Sequence, residues 1–333
     1  MSSSPSAEVA STYDRKVACP QPDPTSSLPI QTAGPRLFQP SSVDYLAPFK
    51  GCDHDWTWVV HQIRDLPLDF ARRAETLFIH QALYGDDGTL PPPLRAAFGI
   101  CAAASVSLNE HTRPVFFRAL DDEVAELLRA APSSSTSTTV TTPLAEDLAR
   151  LQAAVLYQII RLFQGGAEQR VVAERQEFLV RSYGLALLQR ADAELHHDEP
   201  HNDELQSWQA WLLEESVRRT VFVAFKLYTI YSHFRHGVCA ETEALAMLPV
   251  SSSRPPGSWW SREAFYRLPH KDGGLRRRMS PTDIVTYGEF TQQWEVAPRG
   301  DIDAYEMIML VGCKGLGRVE ALIERSRRDA VVV

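Results

Sequence analysis

The sequence predicts an all-α fold of about eight to ten helices, and three observations carry that expectation. Beyond residue 50, apolar residues recur at the 3.6-residue helical period along most of the chain. Alternating strand patterns with hairpin turns do not recur. Stretches rich in Pro, Gly, Ser and Thr cut the periodic segments into helix-sized pieces.

Taken in order, residues 1–50 are rich in Ser, Pro, Thr and Gln and have few periodic apolar positions, which predicts a disordered tail. Residues 51–330 then form one helical domain. Asp53, His54 and Asp55 read as the N-cap region ahead of the helix WTWVVHQI. In LDFARRAETLFIHQALY, the residues Phe70, Ala74, Leu77, Phe78 and Gln81 share one face, which predicts a continuous amphipathic helix. PPPLRAAFGICAAASVS opens with prolines, which suit a first helical turn, and continues with good helix formers. PVFFRALDDEVAELLRAA places Phe117, Leu120, Val124, Leu127 and Leu128 on one stripe.

Residues 131–143, APSSSTSTTVTTP, break every period and are expected to form a flexible loop inside the domain. Two helical segments follow, LAEDLARLQAAVLYQIIRLFQ and AERQEFLVRSYGLALLQRADAEL. Gly165-Gly166 between them predicts a helix stop and a helical hairpin. HHDEPHNDE is a loop, PVSSSRPPGS (249–258) is another, and DIDAYEMIMLVGCKGLGRVEALIERSRR reads as a final helix interrupted or weakened by glycines. No long heptad with charged flanks appears, so no coiled coil is expected.

The most informative helix is WQAWLLEESVRRTVFVAFKLYTIYS, residues 208–232, with a start near Asp203. Its 25 residues span roughly 37 Å, enough to cross a domain. Trp208, Trp211, Leu212 and Glu215 share a face that Arg219, Phe222, Val223 and Lys226 continue. Beyond Thr220 it is apolar nearly all round, the mark of a helix enclosed by others. The apolar run TVFVAFKLYTIY carries Lys226 and falls short of the roughly 20 residues a membrane span needs. Glu214 precedes Arg218 by four residues, and Glu215 precedes Arg219 by four, the favourable orientation for helical ion pairs. If buried, those charges must be satisfied, because an unpaired buried charge is strongly destabilising. The simpler reading of Glu215 and Arg219 is a structural clamp. The functional reading makes Glu215 and Arg219 an active pair, and a separate enzyme reading sets Glu215 with His80 or a nearby Tyr as an acid/base pair in a helical cavity.

Other chemistry is sparse. The net charge of -8 argues against a generally basic nucleic-acid-binding surface. Cys19, Cys52, Cys101, Cys239 and Cys313 lie far apart, with no CxxC pair, so neither a zinc site nor a disulfide framework is expected, and the pattern fits an intracellular protein with reduced thiols. MSSSPSAEVASTYDRK lacks the apolar stretch of a secretory signal. His196, His197, Asp198, Glu199 and His201 have metal-ligand chemistry, but Pro200 and the missing HExxH order favour a solvated loop. His80 reads as a core or rim histidine. LRRRM at 275–279 reads as a solvated loop, with an import or interaction patch as the alternative. No GxSxG, Walker or Rossmann fingerprint occurs, so no cofactor, metal or catalytic residue is assigned.

WQAWLLEESVRRTVFVAFKLY resembles the Trp-xx-Trp, Glu-Ser-xx-Arg-Arg-Thr helix of the regulatory (middle homology) region of fungal-specific transcription factors. The residues that carry the likeness are Trp208, Trp211, Glu215, Ser216, Arg218, Arg219 and Thr220. LPLDFARRAETLFIHQALY, LPPPLRAAFGICAAA, LARLQAAVLYQIIRLF and LAMLPVSSSRPPGSWWSREAF resemble other segments of that region in the same order. The resemblance covers about residues 50–330 and implies an all-helical regulatory domain of the kind attached to a zinc-cluster or zinc-finger DNA-binding module. A zinc cluster needs six closely spaced cysteines, and the tail offers Cys19 and Cys52. The expected protein is therefore a nuclear regulator without zinc-mediated DNA contact of its own, in control of a fungal secondary-metabolite gene cluster. Its expected partner is a transcription factor or a second copy, and a small effector in the helical core is the alternative. A fragment of a longer zinc-cluster factor and a biosynthetic enzyme are the competing readings.

Overall fold

The apolar run around Phe222 sits at the centre of a helical assembly, as a helix without a polar face must. In a computed structural model, the described residues are 53–84, 89–106, 109–129, 143–196, 208–237, 242–252, 262, 284–300 and 302–331. They belong to one compact unit, Ser42–Val333. Their helices are α1 (Asp53–Arg64), α2 (Leu66–Arg73), α3 (Pro92–Ala104), α4 (Thr112–Arg129), α5 (Leu144–Gln164), α6 (Gly166–His196), α7 (Trp208–His236), α8 (Thr242–Ala246), α9 (Tyr287–Val296), α10 (Ala304–Lys314) and α11 (Leu316–Val331). The all-α class is thus observed, and all these helices but five-residue α8 span at least 8 residues.

The predicted 1–50 tail, most of the 131–143 loop, the HHDEPH acidic–histidine stretch beyond His196, the LRRRM run, the start near Asp203 and Cys19, Cys52 and Cys239 lie outside the described residues.

Helix α5 is buried on nearly every face and packs against α6, α3 and α7. Gly165 caps it, and Gly166, at φ 76°, reverses the chain into α6, so the predicted hairpin is present. The α6 backbone comes close to α7 at Gly184, where a Cβ would meet a Val221 methyl at 3.3 Å. Helix α3 starts at Pro92 behind Pro91, as its prolines predict, and buries Leu94, Ala97, Ile100 and Cys101. In α4, Phe117 and Leu120 are buried and Val124 and Leu127 half-buried, whereas Leu128 of the expected stripe is exposed.

Three local expectations are corrected and a fourth is made specific. The predicted helix through Phe70, Ala74 and Gln81 ends at Arg73, because Ala74 adopts φ 54° and its N–H bonds to the Phe70 carbonyl. The Thr76 hydroxyl then accepts the N–H groups of Phe78 and Ile79, and a short 3₁₀ turn, Gln81–Tyr84, follows. Asp53, His54 and Asp55 lie inside α1 rather than before it, and the Asp55 carboxylate accepts the Leu316 N–H at 2.8 Å, capping α11 instead. The final helix, expected to be interrupted or weakened by glycines, is interrupted at Gly315, whose φ of 84° stops α10. Pro249–Ser251, expected in a loop, pairs antiparallel with Ile284–Thr286 as strands β1 and β2.

Candidate functional site

The signature residues of α7 are drawn together with residues distant in sequence. Glu215 and Arg219 are both buried, and their i,i+4 spacing places the Arg219 Nε 3.2 Å from Glu215 Oε1. Arg218 donates its Nε to Glu215 Oε2 at 3.1 Å, and its Nη1 lies 3.7 Å from Glu214. The Ser251 hydroxyl on β1 donates to Glu215 Oε2 at 2.6 Å. Beyond the carboxylate, Arg219 Nη1 donates to the Leu77 carbonyl at 3.0 Å and Nη2 to Asp303 at 3.1 Å. Its guanidinium carbon lies 4.4 Å from the Tyr305 ring centroid. Asp303 in turn caps α10, accepting the Glu306 N–H at 2.8 Å. One arginine therefore ties α7 to the turn after α2 and to the start of α10, while its carboxylate partner holds β1.

The other signature residues surround this knot. Trp208, Trp211 and Leu212 form a small apolar cluster with Ala82, Leu83 and Ile284. The Trp208 ring stands edge-on to His80, with centroids 5.6 Å apart. Thr220 returns its hydroxyl to the Ser216 carbonyl at 2.6 Å and accepts from Gln152 of α5 at 3.4 Å. Gln152 also donates to the Phe78 carbonyl at 2.8 Å and accepts from the Tyr84 hydroxyl at 2.5 Å. Ser216 is completely buried in this interface.

Two turns beyond Arg219, Lys226 is fully buried, with its ammonium 5.3 Å from the Trp56 ring centroid and 5.7 Å from that of Tyr287. Gly312 makes room for it, since a Cβ there would stand 2.4 Å from the Lys226 Nζ. Burial pushes the Tyr287 hydroxyl and the Cys313 thiol up, and nearby Lys226 partly opposes the second shift.

This geometry engages both carboxylate oxygens of Glu215 with structural donors. His80 Nδ1 accepts the Ala82 N–H at 3.1 Å. A surface groove of about 410 Å³ lies elsewhere, lined by Thr57, Val60, Phe163, Tyr231, Phe234 and Arg235 among others, and includes no signature residue. Among the described residues, no three of His, Cys, Asp and Glu are grouped as metal ligands, and no helix is long and apolar enough to cross a membrane. Sequence spacing pointed to the Glu–Arg pairs of α7. Ser251, Asp303, Gln152 and the Leu77 carbonyl had no local signal, because each lies 36 or more residues from its α7 partner.

A buried ionic knot at the centre of a helical domain is a device of architecture. The chain is similar to a fungal transcription factor. That relative, transcription factor gsfR2 of Penicillium aethiopicum, is 32% identical over 178 residues, which are 52% of this chain. The match takes in 41% of the relative, so the chain spans about two fifths of its length. No family model matches the chain. No solved structure matches it.

Proposed function

We propose that the chain is a fungal transcription regulator and not an enzyme, and that residues 51–330 serve as a regulatory domain of the kind found in zinc-cluster factors. In this reading it works in the nucleus, through another transcription factor or a second copy, on a secondary-metabolite gene cluster. The similarity to gsfR2 carries the proposal. The ordered set of segments around Trp208, Trp211, Glu215 and Arg219 supports the domain assignment, and the internal engagement of Glu215 supports a structural rather than catalytic role. In this reading promoter contact comes from a partner module, and the five scattered cysteines of these 333 residues fit it because they offer no zinc cluster.

Deletion of the gene, followed by transcript and metabolite profiling against the parent strain, tests this reading. Loss of expression across neighbouring genes is the expected result. Accumulation of one pathway intermediate with unchanged transcripts would assign an enzyme instead. Because the match takes in 41% of the relative, a second reading places the chain within a longer zinc-cluster factor. Transcripts joining an in-frame cysteine-rich exon upstream of Met1 would decide for it.

A further inference from the structure

The surface groove of about 410 Å³ has the size of a small-molecule site, which measures about 300–1,000 Å³. Its apolar wall is Val60 of α1, Leu162 and Phe163 of α5 and Phe234 of α7. Phe234 is 51% exposed, yet its ring is held in place. The His233 ring stands edge-on to it with centroids 5.5 Å apart, and itself stacks on Trp56 at 4.9 Å. An aromatic face that is open to water and already fixed can take a flat apolar partner with little loss of side-chain freedom.

The charged side chains in the lining are both arginines, Arg170 and Arg235. Arg170 is oriented through its Nε, which donates to the Leu162 carbonyl at 3.1 Å. That acceptor carries no net charge, and the terminal nitrogens of the guanidinium stay open to a ligand. Arg235 sets its Nε 3.6 Å from Glu174, beyond hydrogen-bond reach, while Glu174 accepts the Tyr231 hydroxyl at 2.6 Å. Burial and Glu174 push the Tyr231 hydroxyl up, and Arg235 and Arg170 pull it back, so both guanidiniums act on the same point of the groove. Two guanidiniums against one carboxylate leave a surplus of one positive charge there.

We infer that the groove binds a small aromatic carboxylate, with its ring on Phe163 and Phe234 and its acid on the forks of Arg170 and Arg235. A guanidinium fork matches a carboxylate in parallel hydrogen bonds, which a neutral amide does not reproduce. The groove includes no signature residue of α7, and the inference holds whether or not the chain regulates transcription.

Cinnamate, an aromatic ring joined to a carboxylate by a short arm, is the probe, and its uncharged analogue cinnamamide is the control. Titration of the full chain, followed by ligand-detected magnetic resonance, is expected to show saturable cinnamate binding at millimolar concentration or below. Cinnamamide is expected to bind at least about tenfold more weakly, the loss of a charge-assisted hydrogen bond. Arg235→Gln and Phe234→Ser alter side chains that are 55% and 51% exposed, so helical circular dichroism is expected to stay unchanged. Each is expected to weaken cinnamate by about tenfold, whereas Arg325→Gln, on the exposed side of α11, leaves it unchanged. Failure to saturate by about 10 mM overturns the proposal. So do equal affinities for cinnamate and cinnamamide, and cinnamate binding that survives both groove substitutions. An equal loss in Arg325→Gln overturns it as well, since net charge alone would then account for the binding.

Discussion

At the scale of single residues, Glu215 is the centre of the α7 knot, because three donors from two elements converge on its two oxygens. Removing a partner from a buried pair leaves the opposite charge without compensation, and Arg219 has almost no access to water. Glu215→Ala is therefore expected to destabilise the fold by about 3–5 kcal/mol in chemical denaturation. Ser251→Ala, which deletes one hydrogen bond to the carboxylate, is expected to lose about 1.5–3 kcal/mol. Equal losses for the two variants would show that the carboxylate's ion pairs add nothing. The Glu-to-Arg spacing was legible in the sequence because helical geometry fixes i,i+4 neighbours. The identities of Ser251 and Asp303 were not, since tertiary approach rather than local spacing sets those contacts.

Helices and turns show where the periodicity rule succeeds and where it misleads. It located α3, α4, α5, α6 and α7 because each needs a continuous apolar face. It failed after Arg73 because a turn can bury Phe78 and Ile79 as well as a helix can, and the Thr76 hydroxyl supplies the hydrogen bonds such a turn needs. Asp55 was assigned to the wrong helix end for a related reason: capping chemistry is readable, but the helix it serves lies 261 residues away. Asp55→Ala is expected to cost about 1 kcal/mol and to raise hydrogen exchange selectively in the first turn of α11. Unchanged exchange at Leu316 would remove that capping role.

Across the whole molecule, buried weak acids set the response to alkali. Burial pushes the hydroxyls of Tyr157, Tyr183, Tyr228 and Tyr287 well above the ordinary tyrosine value, and pushes the Cys101 thiol up to about 12. In the unfolded chain these groups release protons near their ordinary values, about 10 for Tyr and 8.5 for Cys. Above those values the unfolded state binds fewer protons than the folded one, so stability is complete below about pH 8.5 and falls as pH rises toward 12, by up to about 1.4 kcal/mol per pH unit for each group. Phenolate absorbance from these tyrosines is expected to appear together with the loss of helical circular dichroism. Their ionisation within an intact helical protein would contradict the burial. The cap that Asp55 places on Leu316 also has a meaning in time. At about 5–20 residues per second, a ribosome makes Leu316 some 13 to 50 seconds after Asp55. Arg219 likewise waits for Asp303 before its last ion pair can form. The early helices thus emerge with their apolar faces uncovered for much of synthesis, the condition in which a chain is most prone to aggregate.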